Sequence, residues 1–281
     1  YKLYMQNVVR HQKNLDVLED KVAELVVKSS KIVGIKTESD IGISCAAVVI
    51  TTGTFLNGRI HVGKQITPGG RIGEPNSTRL TDSLKNLGFE ILTFKTGTPP
   101  RLDGSTIDFS KLEPQYSDDP PVPFSFRTPF IPKEQKLLPC HITHTSERTH
   151  LIICANMHLS PMYSGQIQAT GVRYCPSIED KLKKFADKKS HQIFLEPEGL
   201  DTTEYYPNGI STGLPAEVQE EFVHSIPGLE KVKIVRYGYS IEHGVVPPTE
   251  LIPTLETKKI KGLFLAGQIN GTTGYEEAAG Q

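Results

Sequence analysis

Two short apolar runs, far apart in the chain and each stopping at a glycine, constrain the fold more than any other feature. The first, ISCAAVVITTGTF, is nearly all apolar over residues 45–52, turns β-branched toward its end and stops at Gly53. An unbroken run of this kind suits a strand buried on both faces of an α/β sheet. The second, KGLFLAGQ, gives a strand over residues 261–266 that stops at Gly267. Behind it a glycine-rich turn at residues 271–274 feeds a helix starting near Tyr275. That arrangement points free N–H groups and a positive helix end at whatever lies above the sheet edge.

A second organising stretch is GVRYCPSIEDKLKKFADKK. Pro176 suits the first position of a helix, because its missing N–H would be unpaired there anyway. The spacing of Ile178, Leu182, Phe185 and Ala186 predicts a helix over residues 176–187 with Cys175 as its N-cap. A thiol at a helix N-terminus beside Arg173 is a candidate nucleophile, with Glu179 and Asp180 in the first turn opposing that effect. The same position suits a small buried capping residue, and both readings stay open on the residues alone.

At 281 residues the chain has room for two domains, or for one large domain with an insertion. Its 31 basic and 32 acidic residues nearly cancel, leaving a net charge of -1 and no global field for nucleic acid or membrane. Cys45, Cys140, Cys154 and Cys175 form no C-x-x-C pair, which predicts reduced thiols and a cytoplasmic protein. No apolar run reaches the length of a membrane span, so no membrane contact is expected. The chain opens inside an apparent helix that includes Tyr1 and closes inside another, as expected for the interior of a longer polypeptide.

Residues 1–12 read as helix and LEDKVAELVV and KIVGIKTES as strands, followed by a glycine loop at Gly69, Gly70 and Gly73. That loop enters a helix over residues 78–87, with Ser77 as N-cap and Gly88 as terminator. In the Pro-rich stretch beyond, Phe109, Phe124, Phe126 and Phe130 are expected to act as apolar anchors. His141, His144 and His150 match no zinc spacing, and no metal is expected; the T-H-T turn instead caps a helix from near Ser146. Glu196 and Glu198 share a strand face, suited either to acid–base work or to binding backbone and solvent. A further Pro-started helix is expected over residues 216–225.

The two glycine-ended strands, TTGT and LAGQ, resemble the flavin-contacting strand ends of glutathione-reductase-like proteins with two dinucleotide-binding domains. Together with GGRIGEPNS, FKTGTPPRLDGSTIDFS, ITHT, SPMYSG, RYCPSIEDK, HQIFLEPEG, YPNGIST, PTLETK and GQINGTTGYEEAA, they resemble the MnmG (GidA) family of tRNA-modifying flavoenzymes over nearly the whole chain. The resemblance implies an α/β flavoprotein fold with an inserted α/β nicotinamide-binding domain, incomplete at both ends. It divides the chain into residues 1–100 (FAD-binding domain, first part), 101–198 (inserted NAD-binding domain) and 199–281 (returning FAD-binding part).

It further implies an enzyme that uses FAD, NADH and methylenetetrahydrofolate and works as a homodimer with the GTPase MnmE. The product would carry a (carboxymethyl)aminomethyl group at C5 of the wobble uridine of tRNA. FAD contacts fall on Val22, Ser77 and Gln268, the last standing where Asp is usual. NAD contacts fall on Gly171, Val172, Arg173, Tyr174, Cys175, Pro176, Ser177, Ile178, Glu179, Asp180, Lys181, Leu182, Lys183, Lys184 and Phe185, and Cys175 matches a cysteine proposed to act on the uridine or its adduct. Val172, Ser146 and His243 depart from the family's usual Pro, Asn and Tyr-like residue.

The family's FAD phosphate loop has no counterpart in these residues, so the isolated chain is expected to bind FAD weakly and to be inactive alone. Two alternatives are a folate-dependent tRNA uridine C5 methyltransferase on the same frame and a non-catalytic nucleotide- or RNA-binding module. The second would use Lys181, Lys183, Lys184, Lys188 and Lys189 against phosphates. RYCPSIEDK and PTLETK favour the modification enzyme over the methyltransferase.

Overall fold

The computed structural model describes residues 2–281. It opens with helix α1 (Lys2–His11); the expected helical position of Tyr1 lies outside the described residues. An antiparallel meander follows, β1 (Val22–Lys28), β2 (Lys31–Thr37) and β3 (Gly42–Ser44), and then β4 (Val48–Ile50). The strand expected over residues 45–52 is thus the shorter β4, with Cys45 in the connection from β3. Val49 is 62% exposed, so β4 is buried on one face only. Uniform apolarity does not distinguish a strand covered on both sides from one left open on one side.

Next come β5 (Arg59–Val62), β6 (Gln65–Pro68), α2 (Thr78–Asn86), β7 (Leu92–Thr98) and β8 (Arg101–Asp103). Gly88 adopts φ +85° after α2, the left-handed conformation that lets glycine end a helix. The chain continues through β9 (Glu113–Gln115), β10 (Cys140–His144), α3 (Glu147–Ala155) and the two-residue strand β11 (Thr170–Gly171). Ser146 caps α3 in a reciprocal box with Thr149, as the T-H-T turn predicts. The remainder is α4 (Ile178–Lys184), β12 (Gln192–Pro197), β13 (Glu204–Asn208), α5 (Ala216–Val223), β14 (Ile234–Arg236), β15 (Tyr239–Val245), β16 (Leu263–Leu265) and α6 (Tyr275–Gly280).

Two larger sheets and two cores organise these elements. A five-stranded sheet runs β11-β7-β15-β5-β6, and a six-stranded sheet runs β14-β8-β13-β12-β10-β9. The six-stranded sheet and helices α3, α4 and α5 share a core of Leu102, Ile153, Ile178, Leu182, Leu195 and Phe222 among others. Sheet and core therefore continue past position 198 through β13, α5 and β14. The boundary expected there coincides with no break in packing. The other core joins β1, β2, α2, β4 and β16 through Leu25, Ile32, Ile50, Leu84 and Leu265.

Of the four expected phenylalanine anchors only Phe109 packs, against His141 and Tyr205. Phe124 and Phe126 are fully exposed and Phe130 is 66% exposed. The Pro-rich stretch gives them no periodic face to share, and aromatic content alone did not reveal that.

Candidate active site

The two glycine-ended strands lie side by side. β4 and β16 pair in parallel, with Val48 opposite Leu263 and Ile50 opposite Leu265, and Ala266 N donates to Ile50 O at 3.1 Å. Gly53 at φ +54° and Gly267 at φ +79° then turn both chains out at the same sheet end. A methyl group on Gly53 would stand 3.7 Å from Gln268 Oε1. Beside them the Oγ1 of Thr52 is buried without a partner, which is unusual for a hydroxyl unless a ligand completes it.

Ser77 borders the same loop. Its N–H donates to Phe55 O at 2.9 Å, while its hydroxyl makes no capping bond although the residue occupies the N-cap of α2. Val22 opens β1, which lies along α2, and reaches this site only through the core it shares with Ile50, Leu56 and Leu265. The polar set offered here is hydroxyl and amide, suited to a hydroxyl-bearing chain. Among the described residues no cluster of three or more His, Cys, Asp or Glu side chains could hold a metal ion.

The loop carrying Cys175 sits on β7. β11 pairs in parallel with β7, placing Gly171 opposite Lys95, and Val172 N donates to Lys95 O at 3.1 Å. Cys175 Sγ donates to Gly97 O at 3.0 Å and lies 3.6 Å from Ser211 Oγ. The N-cap of α4 is Ser177 rather than Cys175. Its hydroxyl accepts from Asp180 N while the Asp180 carboxylate accepts from Ser177 N, each at 3.2 Å. A hydroxyl oxygen is a better acceptor than sulfur, so the capping box starts two residues later than Pro176 suggests and the helix is shorter.

The remaining residues of the stretch divide sharply by environment. Ile178 and Leu182 enter the core, and Pro176 lies partly buried just before the cap. Glu179 is fully buried rather than solvated. Its Oε1 accepts from Ser160 Oγ at 3.0 Å and Gly213 N at 3.3 Å, Oε2 has no partner, and burial pushes its carboxyl up. Asp180 accepts from Tyr163 at 2.8 Å, and the Lys95 ammonium stands 3.8 Å away. Burial pushes Asp180 up, but Lys95 and the hydroxyls of Tyr163 and Ser177 outweigh it, so the carboxyl lies below its ordinary value.

Lys181 Nζ donates to Gly209 O at 2.8 Å; burial pushes its ammonium down while the nearby Cys175 sulfur pulls it up. Lys183 lies 4.8 Å from the Tyr163 ring centroid, Lys184 is exposed, and Phe185 is the half-exposed C-cap. Of the basic run, Lys181 is tied to backbone, while Lys183, Lys184, Lys188 and Lys189 are exposed. Arg173 lies over the ring of Tyr174 at 5.6 Å, and Lys181 is the cation that senses the sulfur.

Sequence reasoning missed several neighbours of Cys175. Tyr206 has its hydroxyl pushed up by burial and next by the Cys175 sulfur, and the Arg101 guanidinium stacks 4.2 Å from its ring. Arg101 also donates to Thr98 Oγ1 at 3.0 Å and Pro99 O at 2.8 Å. Lys95, a lysine in the inward-facing pattern of FKTGT, was the available signal. Glu196 and Glu198, the expected acid–base candidates, are occupied by Asn208 and Arg101 respectively.

The two parts meet. Tyr174 Oη donates to Glu277 Oε1 at 2.8 Å, fastening the Cys175 loop to α6, the helix that follows the LAGQ strand end and its turn.

A parallel strand pair ending in glycine turns, with a cysteine loop fastened beside it, defines an α/β protein. The chain belongs to the family described as glucose inhibited division protein A, whose model matches residues 1–281. It is 55% identical over 286 residues to the tRNA uridine 5-carboxymethylaminomethyl modification enzyme MnmG of Aquifex aeolicus, covering 100% of this chain and 46% of that protein. The same-named protein of Geobacter sulfurreducens is 54% identical over 281 residues, with 44% of it covered. The structure of Aquifex aeolicus GidA in its form I crystal superposes with a TM-score of 0.94 at 55% identity, over 100% of this chain and 48% of that one. The chain thus spans about half the length of the curated relatives it matches.

Proposed function

We propose that this chain is the central part of a flavin-dependent tRNA modification enzyme that builds a (carboxymethyl)aminomethyl group on C5 of the wobble uridine. The observation that carries the reading is the Tyr174–Glu277 bond, which holds the Cys175 loop against the helix following Gln268. The name of the relatives points the same way. FAD would be held by Gln268, Ser77 and the orphaned Thr52 hydroxyl, with Val22 supporting from the core. When bound it would supply hydride transfer, and Gly171–Phe185, running from β11 on the five-stranded sheet into α4, would hold NADH as the source of that hydride. Within that stretch the buried Ile178, Glu179 and Leu182 shape the site rather than touch the nucleotide.

Cys175 is the nucleophile. Its thiol proton passes to solvent as the sulfur bonds to C6 of the uracil, and the C5=C6 electron pair shifts to C5, which bonds the methylene carbon of the donor as a C–N bond to the folate breaks. Expulsion of the sulfur with loss of the C5 proton restores the double bond. Methylenetetrahydrofolate is the one-carbon source, the GTPase MnmE the partner, and the working form a cytoplasmic homodimer. The test is Cys175→Ser in the intact natural polypeptide, with wobble nucleosides quantified by mass spectrometry. Loss of the modified nucleoside with flavin still bound is expected; normal modification would overturn the reading.

A further inference from the structure

Both ends of the loop that presents Cys175 meet one buried lysine. At the entry, Lys95 O accepts from Val172 N at 3.1 Å, extending the β7–β11 pairing by a residue. At the exit, the Lys95 ammonium stands 3.8 Å from Asp180 Oδ2. That same oxygen accepts from Ser177 N at 3.2 Å and Ser177 Oγ at 3.0 Å. Between the two contacts, Gly97 of the same strand accepts the thiol at 3.0 Å. Strand β7 thus grips the loop at its start, its centre and its end.

The side chain of Lys95 is only 2% exposed and that of Asp180 21% exposed. A lysine this deep needs compensation, because an isolated buried ammonium is strongly disfavoured. Glu179, fully buried on the adjoining position of α4 with Oε2 unpaired, is raised by burial, and the Lys95 charge works against that rise, so the ammonium faces both acidic side chains of the first turn. Removing one member of such a group leaves an uncompensated charge, whereas removing both ends of the pair relieves it.

Building on the reading of Cys175 as nucleophile, we propose that Lys95 is a positioning residue: its ammonium and its carbonyl clamp the Cys175 loop onto β7 and hold the sulfur at Gly97. Lys95 touches no reacting atom. Its role is to hold the loop closed until substrate draws the sulfur away from the strand.

The test uses the intact natural polypeptide with Lys95→Met, Asp180→Asn and the double variant. Alkylation of Cys175 by iodoacetamide is followed by peptide mass spectrometry, with the exposed Cys154 as the internal control. Each single change is expected to raise the Cys175 rate about fivefold relative to Cys154, with the double variant no faster than the faster single, as coupled partners require. The kcat for wobble-uridine modification should fall about tenfold in each single variant while KM for tRNA stays within about twofold. An unchanged Cys175 ratio in either single variant, or effects that multiply in the double, would overturn the clamp. If Lys95→Met does not fold, Asp180→Asn decides alone, since its side chain is partly exposed and keeps an acceptor for Ser177. The alkylation readout is independent of catalysis. A shifted ratio combined with a Cys175→Ser enzyme that still modifies tRNA would sustain the clamp and remove the nucleophile.

Discussion

The hydroxyl of Tyr174 bonds the carboxylate of Glu277 at 2.8 Å, joining a loop laid on the five-stranded sheet to the helix behind the β16 turn. The bond is exposed, and it holds Glu277 below the ordinary carboxylate value. Tyr174→Phe should therefore leave stability within about 0.5 kcal/mol while lowering wobble-uridine modification severalfold. Thermal melting and nucleoside mass spectrometry on the same preparation separate the two effects. Equal modification by the Phe variant would show that the fastening is incidental.

Ser77 offers a cleaner separation of fold from ligand. A serine at an N-cap commonly contributes about 1 kcal/mol through its hydroxyl, but this hydroxyl makes no capping bond. Ser77→Ala should thus melt close to the parent and lose flavin affinity, read by equilibrium dialysis. A large drop in melting temperature would assign the side chain to the helix instead.

Glu179 gives a pH signature. Its carboxyl is raised by burial, so the folded state keeps a proton that the unfolded chain has released, and stability declines as pH rises through that interval. Glu179→Gln cannot ionise and should flatten the decline above the ordinary carboxylate range. Asp180 acts oppositely: its lowered value contributes stability above the ordinary carboxylate range that is lost as pH falls through the folded value. Melting curves of parent and variant across pH read both slopes. A parent whose excess decline over the Gln variant is absent would contradict the burial argument.

Lys181 is the half-buried cation nearest in influence to the Cys175 sulfur. A local positive charge favours an anionic reagent over a neutral one of similar size. Lys181→Met should lower the iodoacetate-to-iodoacetamide rate ratio at Cys175 and leave that ratio at Cys154 unchanged. A ratio at Cys175 insensitive to the substitution would place the ammonium too far away to matter.

The other thiols separate by surroundings rather than by sequence context. Cys154 is exposed on α3, so Cys154→Ala should change melting by less than about 0.5 kcal/mol. Cys45, half-buried between β3 and β4, should cost of order 1 kcal/mol when changed to alanine. Neither change should alter tRNA modification, as nucleoside analysis would show.

Much of this architecture was legible in the residues. The glycine after each apolar run marked both strand ends, and their adjacency follows from Ile50 and Leu265 facing one another in a parallel ladder. Gly88 and Ser146 were readable as helix ends because backbone conformation and hydrogen bonding there are local. The cap of α4 was misplaced because Pro176 marks the neighbourhood of a helix start and leaves the choice to competing acceptors. Lys95, Tyr206 and Arg101 escaped because their roles arise from cross-strand partners distant in the chain. Phe124 and Phe126 escaped because exposure depends on what passes nearby, which no local pattern encodes.

The β4–β16 pair has a consequence for the order of assembly. All of the chain from Ile50 to Leu263 must be looped out before these two strands can meet, and closing a flexible loop of that length costs roughly 5 kcal/mol in chain entropy. The intervening sheets shorten the effective loop once they have formed, so the pair closes late, on a scaffold already folded. The seam where Thr52 and Gln268 meet therefore matures after both large sheets, and a nascent chain acquires it only when β16 has been made.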